Sequence, residues 1–172
     1  MEFTFKTSYD TQALTAMAKA LRKTTRNKHS KRSHVFGWLL VALVVLLSLP
    51  RGEAYVITAN RVITWLAALA IVIAFVFEDR LNGSIAKKRM LPGLRSSTVT
   101  FTESGYHSAT EMGSSDFSYD KITALAETDR YYILIFSKHH AQVYDKLSIM
   151  GGTCDDYNAF ISRMTNLPVQ KV

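Results

Sequence analysis

The dominant pattern along the chain is a pair of long apolar stretches separated by a short polar loop. Residues 33–50 contain no Asp, Glu, Lys or Arg, and residues 62–77 read VITWLAALAIVIAFVF. At about 1.5 Å per residue, a helix over the first stretch measures roughly 27 Å, close to the roughly 30 Å hydrocarbon core of a bilayer. The remaining chain is too short and polar to cover such a hairpin inside a soluble core. The pattern therefore predicts two transmembrane helices, at residues 33–50 and 56–77.

The chain after residue 96 has a different texture, in which apolar and polar residues alternate over short runs between turn residues. This alternation predicts strands at residues 98–102, 106–110, 117–119, 122–128, 131–136 and 141–144. Thr153 is a predicted helix N-cap, and an apolar stripe follows it. The predicted core residues are Val99, Phe101, Ile133, Leu134, Phe160 and Ile161. The fold class is thus an α+β membrane protein, with a transmembrane hairpin and a cytoplasmic antiparallel sheet closed by a C-terminal helix.

The N-terminal segment combines a short strand pattern with an amphipathic basic helix. Residues 2–7 alternate like a half-buried strand, and a lone strand is unstable in water. Because a two-helix hairpin returns the chain to its starting side, we expect this strand to pair with an edge of the C-terminal sheet and to bury Phe3 and Phe5. The helix that follows has two open interpretations: it lies on the membrane surface, or it packs on its own domain.

These patterns divide the chain into four segments. Residues 1–32 hold the N-terminal strand and helix, residues 33–78 the two membrane helices, residues 79–96 a linker with turn signals at 81–83 and 90–93, and residues 97–172 the β domain.

The distribution of positive charge predicts the orientation in the membrane. The chain has a net charge of +7. Twelve Lys and Arg residues flank the hairpin on its outer sides, against two in the loop. The positive-inside rule then places both termini in the cytoplasm. The basic residues expected at the membrane surface are Arg22, Lys23, Arg26, Lys31, Arg32, Lys87, Lys88 and Arg89.

Positive charge that is concentrated beside the membrane spans argues against nucleic-acid binding, which needs a basic surface with exposed aromatic residues or a recognition helix.

Motifs of catalysis and metal binding are missing from the sequence. It has no phosphate-binding glycine loop, HExxH or GxSxG motif, and its one cysteine, Cys154, forms no CxxC pair. His139 and His140 are adjacent and would point to opposite faces of a strand, so they are poor joint ligands for one ion. We therefore expect no catalytic residues, no metal and no cofactor. A loose cationic group is the one ligand-binding candidate: Lys121, Arg130, Lys138 and Lys146.

The C-terminal part resembles the YcxB-like family, small bacterial membrane proteins with a two-helix hairpin and a cytoplasmic domain similar to pleckstrin-homology modules. The resemblance is carried by residues 100–106 (TFTESGY), 117–122 (FSYDKI), 127–134 (ETDRYYIL) and 141–146 (AQVYDK). The family usually has Trp where this chain has Tyr119, and Pro-Lys where it has Asp145-Lys146. The resemblance implies a PH-like fold and a bacterial inner-membrane location, but it implies no activity.

Two functional hypotheses follow. The first is a membrane-anchored, regulatory or scaffolding module whose β domain binds a partner protein or anionic lipid headgroups. The alternative is a self-protection (immunity) or transport accessory protein that acts through its membrane hairpin. Expected partners are membrane lipids, with a protein partner or a second copy of the chain as further candidates. An enzyme is not expected.

Overall fold

The computed structural model describes residues 1–48, 58–91 and 93–172. Residues 49–57, which include the end of the predicted span 33–50, most of the predicted loop and the start of the predicted span 56–77, lie outside them, as does Pro92 of the predicted 90–93 turn. Within the described residues the helices are α1 (Thr11–Lys23), α2 (Asn27–Ser48), α3 (Ala59–Val76), α4 (Glu78–Arg89) and α5 (Cys154–Thr165). The strands are β1 (Phe3–Ser8), β2 (Ser96–Thr102), β3 (Gly105–Thr110), β4 (Gly113–Phe117), β5 (Ala124–Glu127), β6 (Tyr131–Ile135), β7 (Ala141–Asp145) and β8 (Val169–Lys171). This content confirms the α+β class.

The chain forms two compact units that are interleaved in sequence. Met1–Arg26 and Asp79–Val172 together make one unit, which we call the sheet domain. Asn27–Glu78 make the other, which we call the helical hairpin. The sheet domain is therefore assembled from chain on both sides of the hairpin.

Strand β1 joins the two parts of the sheet domain and confirms the predicted pairing. Phe3 lies opposite Phe101 of β2 and Phe5 lies opposite Val99, with both N-terminal phenylalanines fully buried. On its other edge, β1 exchanges two 2.9 Å backbone hydrogen bonds between Thr4 and Met150. Both edges of the strand are thus paired, which is how the N-terminal residues are stabilised.

The predicted single sheet is wrong, because the strands form two four-stranded sheets. The first sheet has the order β1-β2-β3-β4 and the second has β7-β6-β5-β8. Residues 113–115, expected to separate strands, belong to β4, and Tyr119–Lys121 form a 3-10 turn instead of a strand end. The chain also continues past its last helix into β8, which pairs in parallel with β5. Helix α5 is therefore not the last element of the chain, and it does not close a single sheet.

An aromatic core fills the space between the two sheets, and α5 contributes to it. The Tyr157 ring centroid lies 4.7 Å from that of Phe5, 5.2 Å from Phe101 and 4.8 Å from Tyr132. All six predicted core residues are buried, each at most 2% exposed. The predicted cap of α5 is also confirmed: Thr153 Oγ1 accepts from the Asp156 amide at 3.2 Å, and an Asp156 carboxylate oxygen accepts from the Thr153 amide at 2.9 Å.

Helix α1 covers the opposite face of the second sheet. Its small buried residues Ala13, Ala16 and Ala20 pack with Leu21 against a cluster that includes Ile133. Small side chains let the helix approach the sheet closely, so the apolar stripe of α1 is buried within the sheet domain. The structure therefore agrees with the second interpretation of this helix, in which it packs on its own domain.

Helix α4 occupies most of the predicted linker, so the turn expected at residues 81–83 is wrong. Gly83 is buried in the middle of α4, where it contacts α1. A Cβ at this position would lie 2.7 Å from the Thr15 amide nitrogen and 2.8 Å from the Thr15 Cα. The glycine therefore permits close helix packing here and does not mark a turn.

The helical hairpin contains two segments long and apolar enough to cross a membrane, Ser30–Ser48 and Ala59–Val76. Their large side chains are exposed, for example Phe36 at 65% and Ile63 at 64%. Inside the hairpin, His34 Nε2 lies 2.7 Å from a Glu78 carboxylate oxygen, and its ring stacks on Phe75 at 4.8 Å. The hairpin therefore presents apolar surface to its surroundings, in contrast to the sheet domain.

Candidate anion-binding cleft

The four cations expected to form a ligand site lie at two opposite ends of the second sheet. Arg130 precedes β6, and its carbonyl oxygen accepts from the Lys146 amide at 2.9 Å. Lys138 follows β6 at its far end, and Lys121 precedes β5 at that same end, where Ala124 pairs with Ile135. A five-residue strand separates the two ends by roughly 13 Å. The predicted group of four is therefore not one site.

Two of these cations are held by carboxylates of the sheet. Arg130 donates to Asp145 Oδ2 from Nε at 3.1 Å and from Nη2 at 2.8 Å, and this bonding raises the pKa of Arg130. Lys146 Nζ lies 2.7 Å from Glu127 Oε2 and 4.5 Å from the Tyr132 ring centroid. These contacts connect the strand ends, so both side chains have a structural role.

The other two cations are on the surface. Lys121 lies 3.2 Å from the exposed Asp120 carboxylate, and the Lys138 side chain is exposed. Exposed pairs of this kind contribute little to stability.

A cleft of about 530 Å³ lies beside Arg130 on the sheet domain, between α1, the start of α4 and the β5–β6 turn. One side is formed by the α1 face that runs from Thr11 to Lys19, and the other by Arg80 and residues 128–131. Its volume is within the range of roughly 300–1,000 Å³ that is typical of small-molecule sites. The cleft brings together chain segments far apart in sequence.

The position of α4 beside this cleft is determined by an ion pair and by the Gly83 contact. Arg22 of α1 donates to both carboxylate oxygens of Asp79, from Nε at 2.7 Å and from Nη2 at 2.6 Å. Both side chains are largely buried, and a two-point Arg–carboxylate pair is strong and directional. Arg80, the next residue, then lines the cleft.

Three cations from three elements line the cleft. Lys19 Nζ donates to a main-chain oxygen of Val172 at 3.2 Å, which leaves further ammonium hydrogens for another acceptor. Arg130 Nη1 donates to Gln12 Oε1 at 3.0 Å in addition to its bonds to Asp145. Arg80 is exposed and makes no hydrogen bond or ion pair with the described residues. The arrangement is suited to an anion.

Two further side chains in the lining define its chemistry. Asp129 is exposed and is the one carboxylate in this lining among the residues that the structure describes. Burial, followed by the negative charge of Asp10, raises the pKa of Tyr131 above its ordinary value. The described part of the chain contains no group of three or more His, Cys, Asp or Glu placed to hold a metal ion.

Residues 101–161 match the family model described as YcxB-like protein. This match confirms the resemblance over about a third of the chain. The search of curated proteins finds no match. The YcxB-like segment begins in β2 and ends in α5, so it includes Asp129 and Arg130 but neither Lys19 nor Arg80. Six of the ten residues that line the cleft therefore lie outside the matched segment.

The basic residues predicted at the membrane surface divide into two kinds. Arg22 pairs with Asp79. Arg26 donates to the Lys138 carbonyl oxygen at 2.8 Å, and its Nη2 lies 3.0 Å from His139 Nδ1. These two side chains connect distant parts of the sheet domain. The remaining ones have exposed side chains: Lys23, Lys31, Arg32, Lys87, Lys88 and Arg89.

Sequence reasoning did not identify Lys19 and Arg80 as site residues. Lys19 belongs to the polar side of an amphipathic helix, and Arg80 to a basic flank, so neither had a local signal of its own. Lys19 and Arg80 come close only because α1 and α4 pack together. The prediction of a linker at residues 79–96 left no helix there for α1 to pack against.

Proposed function

We propose that this chain is a membrane-anchored, PH-like regulatory or scaffolding module that binds anionic lipid headgroups at the cytoplasmic face of a bacterial inner membrane. In this proposal α2 and α3 cross the bilayer and the sheet domain lies on the cytoplasmic side with both termini. The observation that carries the proposal is the set of exposed cations on chain segments that border the two apolar helices.

The charges support headgroups over a protein partner because of where they lie in the sequence. Lys31 and Arg32 are exposed and directly precede the apolar part of α2. Each Lys or Arg near an anionic leaflet contributes about 1 kcal/mol of attraction, and this attraction is screened by salt.

The orientation is tested with reporters. A fluorescent or phosphatase reporter fused after Val172 is expected to show cytoplasmic behaviour, because basic residues concentrate on the flanks that bear the termini. External phosphatase activity would contradict the proposed topology.

Lipid selection is tested on the full-length protein reconstituted in bilayers. Trp38 and Trp65 are the two tryptophans of the chain and both lie in the hairpin, so brominated lipids that contact the hairpin quench them. We expect brominated phosphatidylglycerol to compete better than brominated phosphatidylcholine. The K31Q/R32Q variant should reduce this preference by about fivefold or more at low salt. Equal competition by the two lipids in the unmodified protein would contradict the proposal.

A further inference from the structure

The cleft described above has an unusual charge arrangement. Lys19, Arg80 and Arg130 come from α1, α4 and the β5–β6 turn, and only folding brings them around one space of about 530 Å³. Like charges gathered in this way repel one another, so the arrangement is unfavourable without counter-charges.

The neighbouring carboxylates do not neutralise Arg80. Asp79, the residue before Arg80, accepts hydrogen bonds from Arg22 at both of its carboxylate oxygens. Asp145 accepts from Arg130 on the far side of the turn. In the cleft lining, Arg80 therefore keeps its guanidinium available, since it makes no ion pair within the described residues.

The charge balance of the cleft favours an anion of low charge. Asp145 and Asp10 offset Arg130, and the exposed Asp129 offsets part of the charge of Lys19 and Arg80. A phosphodiester, which carries one negative charge, fits this balance better than a polyphosphate. Arg80 supplies the planar donor pair suited to phosphate oxygens, and Lys19 supplies a second point charge.

We propose that this cleft binds a phosphate group, with Arg80 and Lys19 donating to its oxygens, and that the ligand is the phosphodiester of a phospholipid headgroup. The assignment to a lipid rests on the proposed function. Arg80 lies four residues beyond Val76, the end of α3, and four residues span at most about 14 Å. If α3 ends at the membrane surface, Arg80 is within reach of the headgroup layer.

The test uses the full-length protein in a non-ionic maltoside detergent, which contains no phosphate. Isothermal titration calorimetry is run with glycerophosphoglycerol, the soluble headgroup diester, and separately with inorganic phosphate. We expect saturable binding of the diester. Arg80→Gln should weaken it by about tenfold or more, as expected for the loss of a charge-assisted bond. Arg163→Gln is the matched control, because Arg163 is an exposed arginine of α5 outside the cleft lining.

Each outcome has a defined meaning. Diester binding that is lost in R80Q and kept in R163Q supports the lipid headgroup. Inorganic phosphate that binds as tightly, with the same dependence on Arg80, supports the phosphate site but overturns its assignment to a lipid. The site is overturned if neither probe binds, or if R80Q and R163Q behave alike.

This experiment fails separately from the bilayer test. The titration contains no membrane, so its result is independent of the quenching result. If no probe binds in the titration but brominated phosphatidylglycerol competes better in the bilayer, the cleft proposal is wrong and the proposed function stands. If the diester binds in the titration but the two brominated lipids quench equally, the proposed function is wrong and a phosphate site remains.

Discussion

The sheet domain and the helical hairpin place similar apolar side chains in opposite surroundings. Phe3, Phe5 and Phe101 are fully buried in the sheet domain, whereas Phe36 of the hairpin is 65% exposed. In the domain, burial among aromatic neighbours is the main source of stability. In the hairpin, the same apolar surface is turned outward, as suits a helix that faces lipid. Composition alone therefore does not decide whether an apolar side chain is buried; the surface that packs against it does.

Truncating one phenylalanine in each region is the strongest test of this comparison. Phe5→Ala should cost the sheet domain about 3–5 kcal/mol, because the ring contacts aromatic neighbours on both sheets and on α5. Phe36→Ala should change the domain's stability by less than about 0.5 kcal/mol. The free energy of unfolding is measured by denaturant titration in maltoside, followed by tyrosine near-ultraviolet circular dichroism. Tryptophan fluorescence reports the hairpin independently. A loss below about 1 kcal/mol in F5A would mean that β1 does not dock as described.

Helical glycines give a second, smaller contrast between the regions. Gly83→Ala should destabilise the domain by about 1–3 kcal/mol, because the added Cβ meets the Thr15 backbone, which cannot move aside easily. Gly37→Ala in α2 should cost less, since its Cβ meets the far end of the Phe75 ring, a side chain that can rotate. The same denaturant titration measures both variants. Asn82→Ala is the control for helix propensity, because Asn82 is exposed in α4. If G83A is as stable as N82A, the close approach of α1 and α4 is wrong.

The smallest expected effects come from tyrosine hydroxyls in the aromatic core. The Tyr157 hydroxyl is buried and makes no hydrogen bond in the described structure, and burial raises the pKa of this tyrosine well above its ordinary value. The Tyr119 hydroxyl donates to the Thr102 carbonyl oxygen at 2.6 Å. Tyr157→Phe should therefore be neutral or stabilising, whereas Tyr119→Phe should cost about 0.5–1.5 kcal/mol. Thermal unfolding of the two variants decides this, and a larger loss in Y157F than in Y119F would show that the Tyr157 hydroxyl has a partner.

Patterns that act over a few residues determined a large part of this protein from the sequence. The lengths of the two apolar stretches predicted helices long enough to span a bilayer, and alternation identified β1 and most of the strands. The Thr153 cap was readable because its partner Asp156 is three residues away. The six core residues were recognisable since large apolar side chains on a strand or helix stripe have few alternatives to burial.

The way in which these elements combine is visible only in the three-dimensional fold. Two sheets form where one was expected, because β4 and β5 do not pair and the chain turns through Tyr119–Lys121 between them. After α5 the chain returns as β8 to pair with β5, and no local pattern specifies that return. Gly83 has the sequence signal of a turn, yet it lies in a helix because α1 packs against it. The cleft likewise depends on that packing, which brings Lys19 and Arg80 to the turn at Arg130. The physical reason is the same throughout: periodicity records which face of an element is apolar, whereas the identity of the surface that covers it depends on contacts between distant parts of the chain.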